Sequence, residues 1–68
     1  MTLGEFLADK RMGLGLSFRE AQKLTGVSHT VIFQIESEII KKPSFLVVVK
    51  LCRGYKISIP ALLKKVTL

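Results

Sequence analysis

The stretch from Ser17 to Glu36 constrains this chain most, because the ends of two consecutive helices are marked within it. Ser17 followed three residues later by Glu20 makes a capping box. The hydroxyl takes one backbone N–H of the first turn, and the carboxylate reaches back to another. Gly26 suits a left-handed helix stop, since a residue without a Cβ reaches positive φ at little cost. Ser28 can cap a second helix, on which Ile32 and Ile35 share one face. Two short helices meeting at a glycine turn form a helix-turn-helix pattern.

The rest of the chain is punctuated in the same way. Thr2 and Glu5 form another capping box, opening a first helix expected to reach about Met12, with Leu3, Phe6 and Leu7 turned inward. Gly13 and Gly15 end that helix, and Lys10 and Arg11 complement its dipole. Pro43 blocks helix, and Ser44 caps a fourth one from Phe45 to Arg53, which Gly54 is expected to end. Its run from Phe45 to Cys52 is apolar on nearly every side apart from Lys50, so Val47 or Val48 is expected at the surface. Ser58 and Pro60 open a fifth helix carrying Leu62, Leu63 and Val66. The expectation is a compact all-α fold of five helices in one domain, residues 1–68, with the motif at 17–36.

Composition narrows the function classes. Sixty-eight residues support one small core. The single cysteine, Cys52, excludes an internal disulfide, lies in an apolar run and fits a reducing, cytoplasmic compartment. No apolar run reaches the length of a membrane span, and no signal peptide is read ahead of the first helix. Eleven Lys and Arg against five Asp and Glu give a net charge of +6, which could neutralise phosphates. The cations are spread along the chain in pairs, Lys41 with Lys42, Arg53 with Lys56, and Lys64 with Lys65, so charge alone decides nothing. Enzyme chemistry is not expected. His29 is the only histidine, Cys52 has no nearby partner, no Cys/His set has zinc spacing, and the glycines form no phosphate loop, so neither metal nor cofactor is implied.

The motif resembles the helix-turn-helix of the phage repressor and Cro family at Ala21, Gly26-Val27-Ser28, Ile32, Ile35 and Glu36. The likeness continues through Lys41 to Leu46, Leu51 and Tyr55 to Leu63, nearly the whole chain. It implies a structural ion pair between Arg11 and Glu36, tying the first helix to the third. It also implies that the helix from Ser28 to Glu36 enters the major groove of double-stranded DNA. Ser28, His29, Thr30 and Gln34 would then face base edges, and Lys41 and Lys42 would meet phosphates. A homodimer on two half-sites is implied as well.

Several residues depart from that pattern. Phe18 stands at the first motif position, Gln22 where a small alanine is usual, and Phe33 where a small or polar residue is usual. Glu38 replaces the glycine expected two residues after Glu36, so a left-handed backbone there would be strained. Met12, Phe18, Val31, Phe33, Ile39 and Ile40 together suggest an apolar patch beside the recognition helix. Such a patch suits protein docking better than phosphate contact. The residues therefore favour a protein-binding module, an engineered variant of a repressor-like scaffold anchored by Phe33 and Ile39. Sequence-specific DNA binding by a transcriptional regulator is the alternative.

Overall fold

The computed structural model describes residues 1–66. Its helices are α1 (Leu3–Gly13), α2 (Phe18–Thr25), α3 (His29–Glu36), α4 (Phe45–Tyr55) and α5 (Ile59–Lys65), with no strand among the described residues. Each helix begins at a hydroxyl cap: Thr2, Ser17, Ser28, Ser44 and Ser58 accept backbone N–H groups of their own first turns. Both capping boxes are complete, with Glu5 bonded back to the Thr2 N–H and Glu20 to the Ser17 N–H, each at 2.9 Å. Those bonds hold both carboxyls below the usual carboxylate range.

Three helices end with the chain turning left-handed and folding back on the last carbonyls. The left-handed residue is Gly15 after α1, Glu38 after α3 and Lys56 after α4. In each case the next residue's N–H reaches a carbonyl five residues back: Leu16 to Arg11, Ile39 to Gln34, and Ile57 to Cys52. This Schellman arrangement satisfies carbonyls that a helix end otherwise leaves open.

The core gathers Phe6 and Leu7 of α1, Ala21 of α2, Val27 of the turn, and Ile32 and Ile35 of α3. From the far side it takes Leu51, Cys52 and Tyr55 of α4, together with Leu62 and Val66. Leu7, Ile32, Ile35 and Leu51 are fully buried, each contributing about 1.5–3 kcal/mol of apolar transfer. α2 packs on both α3 and α4, and α1 closes over the same pair. Close approach depends on two glycines. A Cβ at Gly4 would strike the Ile35 carbonyl, so α1 could not sit against the end of α3.

Two sequence expectations need correcting. α4 does not stop at Gly54 but runs through it to Tyr55, and Lys56 turns left-handed at φ 58°. Gly54 is there for proximity: a Cβ on it would lie 2.5 Å from Thr25 Cγ2 and 2.9 Å from Thr25 Cα. Val47 and Val48 are both half-buried against the core. The exposed large apolar residues of α4 are Phe45 and Leu46, in its first turn.

Gly54→Ala should therefore destabilise the domain by about 1–3 kcal/mol through overpacking at the α2–α4 crossing. Gly13→Ala, a helical position where a Cβ meets nothing within 4 Å, should stabilise it by roughly 0.5–1 kcal/mol. Paired urea melts of the two variants read the contrast directly.

Candidate nucleic-acid interface

The turn between α2 and α3 is set by Gly26 at φ 78°, whose N–H bonds to the Gln22 carbonyl. Beneath it, buried Thr25 donates its hydroxyl to the Ala21 carbonyl at 2.8 Å and accepts from the Val27 N–H at 3.1 Å. Ala21 before the turn, Val27 within it and Ile32 after it are all buried, so the angle between the two helices is held by packing. α3 consequently buries Ile32 and Ile35 and leaves Ser28, Thr30 and Phe33 exposed, with His29, Val31 and Gln34 half-buried.

The first turn of α3 is capped twice. Ser28 Oγ accepts from the Thr30 N–H at 3.2 Å, and Gln22 Oε1 accepts from the His29 N–H at 2.7 Å. At the other end, the Gln34 carbonyl accepts from both the Ile39 and Ile40 N–H groups. That end carries Glu38 at φ 61°, a conformation glycine adopts freely and other residues adopt at a cost of about 1–3 kcal/mol. Lys41 and Lys42 follow it, both exposed.

Behind the helix, Arg11 and Glu36 form a two-pronged ion pair. Arg11 Nε donates to Glu36 Oε2 at 2.7 Å, and Nη2 donates to Oε1 at 2.9 Å. The remaining nitrogen, Nη1, donates to the Leu16 carbonyl at 2.7 Å. Both side chains are nearly enclosed, 11% and 8% exposed. The Phe18 ring lies 4.1 Å from the guanidinium carbon, and Phe33 meets Phe18 edge to face at 5.7 Å. The bonds from Glu36 raise the Arg11 pKa despite the opposing effect of burial.

A family model described as helix-turn-helix matches residues 7–62, most of the chain. The chain belongs to the helix-turn-helix family, of the phage repressor and Cro-like type. No curated protein and no solved structure matches it.

In this helix-turn-helix chain the six apolar residues of the supposed patch do different jobs. Phe18, Val31 and Ile40 are half-buried and packed against the core. Met12, Phe33 and Ile39 are exposed at 58%, 49% and 66%. Phe18 and Phe33 meet edge to face, and the Phe18 ring covers the Arg11 guanidinium of the ion pair. Ile40 turns to a groove of about 670 Å³, lined also by Leu3, Ile35, Phe45, Ile59 and Leu63, with Lys41 and Lys42 among its walls. This second apolar surface escaped the sequence reading. Its signal was the Phe45-Leu46-Val47-Val48 run, whose excess apolar side had to emerge somewhere.

Among the described residues no group of His, Cys, Asp and Glu could hold a metal ion, and no helix is long and apolar enough to cross a membrane. Cys52 is buried, which pushes its thiol pKa up.

Two stability outcomes follow from the ion pair and its neighbour Tyr55. Arg11→Ala leaves Glu36 charged, enclosed and without its fork, and should cost about 3–5 kcal/mol in a denaturant melt. Among the described residues the Tyr55 hydroxyl is buried without a partner, and burial, with a lesser push from the Glu36 charge, raises its pKa to about 12. The fold therefore favours the neutral phenol. Its stability contribution is complete below about pH 10 and is lost as pH rises from there through about 12, at up to ~1.4 kcal/mol per unit. Tyr55→Phe should lack that alkaline loss and match or exceed the parent's stability at neutral pH, as melts at both pH values would read.

Proposed function

We propose that the chain is a sequence-specific DNA-binding regulator that lays α3 in the major groove. The observation that carries this reading is the α2–Gly26–α3 unit with the outer face of α3 unburied, in a chain of helix-turn-helix family. The N-terminal part of such a helix touches base edges. Here it offers Ser28, His29 and Thr30, followed by Gln34, whose amide pairs an acceptor with a donor as adenine does. Phe33, half-exposed beside them, suits a thymine methyl group. Lys41 and Lys42 follow the end of α3 and serve phosphates, within a net charge of +6. Glu38 on the same loop repels phosphate and keeps non-specific binding weak.

The finer protein-docking reading of this face has less support, since Phe18 is engaged with Arg11 while Val31 and Ile40 pack inward. A homodimer is a separate matter. The groove between Phe45, Ile59 and Leu63 offers apolar surface for a second copy, and none of residues 28–34 lines it. Dimerisation there would leave both recognition helices open to half-sites about one helical turn apart.

Selection from a random duplex pool, followed by salt-dependent binding to the winner and light scattering, tests the reading. Affinity should fall steeply with salt, and Lys41→Ala and Lys42→Ala should each reduce the slope by roughly 1. Gln34→Ala should cost about 1–3 kcal/mol and erase the preference at one base pair. A folded protein that selects no sequence would return this face to protein docking.

A further inference from the structure

Gln22 and His29 make a contact that fixes more than a helix cap. Gln22 Oε1 lies 2.7 Å from the His29 backbone nitrogen and 2.7 Å from its ring Nδ1. A backbone N–H can only donate, so the amide atom facing it must be the oxygen. That oxygen can only accept, so Nδ1 must carry the proton of the neutral ring. Nε2 is then left as a bare lone pair.

The contact ties α2 to α3 across seven residues and sits at the first residue of the recognition helix. We infer that Gln22 is a positioning residue that holds His29 in the Nδ1–H tautomer, and that His29 thereby reads the major groove as a hydrogen-bond acceptor through Nε2. In that groove only cytosine N4 and adenine N6 offer donors, whereas guanine shows acceptors alone at O6 and N7. His29 accordingly selects cytosine or adenine and rejects guanine. With the more common Nε2–H tautomer the ring would donate instead, which suits guanine O6 or N7, adenine N7 and thymine O4 and rejects cytosine alone. The base preference rests on the DNA-binding reading of α3; the tautomer does not.

The test therefore has two arms. Ring ¹⁵N NMR of the free protein at about pH 8.5, where an imidazole is neutral, reads the tautomer. The parent should show Nδ1–H, Gln22→Ala should shift to Nε2–H, and Gln22→Glu, which keeps an acceptor oxygen, should retain Nδ1–H. In the second arm, His29→Ala identifies the base pair whose preference His29 sets. There the parent should favour cytosine or adenine over guanine by about 2- to 10-fold, the worth of one hydrogen bond. Gln22→Ala should lose that preference or turn it towards guanine. An Nε2–H ring in the parent overturns the inference whatever the DNA result. Guanine preferred by the parent, or an unchanged preference in Gln22→Ala, overturns it while leaving DNA binding intact. If no duplex is selected at all, the DNA reading and the base preference fall together, and the NMR arm alone decides the role of Gln22.

Discussion

The Arg11–Glu36 fork is the interaction on which the arrangement of the chain depends. It joins residues 25 apart in sequence, one in the last turn of α1 and the other at the end of α3. An enclosed guanidinium or carboxylate without a partner is expensive, so the two helix ends are bound to stay together. The third arm of Arg11, on the Leu16 carbonyl, extends the same constraint to the connection into α2. One side chain thus holds together the end of α1, the entry to α2 and the end of α3. The Phe18 ring over the guanidinium then shields the pair from water, which strengthens it by lowering the local dielectric.

That constraint explains why an aromatic residue can stand on the outer face of α3. Phe33 reaches solvent with about half of its surface and meets, edge to face, the Phe18 ring that lies over Arg11. The recognition helix is correspondingly stiff. Its start is held by Ser28 and Gln22, its middle by Ile32 and Ile35, and its end by Glu36 and the folded-back amides of Ile39 and Ile40. A helix of only 8 residues has little intrinsic stability, so these tertiary ties are what preserve it.

Much of the fold was legible because helix ends are local events. The hydroxyl caps, the two capping boxes and the left-handed Gly26 each follow from a few adjacent residues. Glu38 could be read the same way, as a non-glycine residue in a glycine's place, and it does adopt positive φ. What escaped was non-local. Gly54 looked like a helix stop because glycine serves stops and close crossings alike, and only the position of Thr25 separates the two. Gln22 looked like a misfit among small residues until His29 was seen beside it. The apolar residues near α3 looked like one docking patch because sequence gives side-chain character without giving neighbours. In space Phe18, Val31 and Ile40 pack against the core, Phe18 also over Arg11, while Met12, Phe33 and Ile39 stay exposed.

The groove and its neighbour Leu46 also affect how the molecule behaves in bulk solution. Phe45 and Leu46 expose 78% and 62% of their surface on a chain of charge +6. At low ionic strength that charge holds copies apart, because its field reaches roughly 30 Å at 0.01 M salt. Near 0.15 M the reach shrinks to about 8 Å, and the apolar faces can meet. Ionic strength therefore acts in opposite senses on the two surfaces: it loosens any grip on a polyanion and promotes association of the chain with itself.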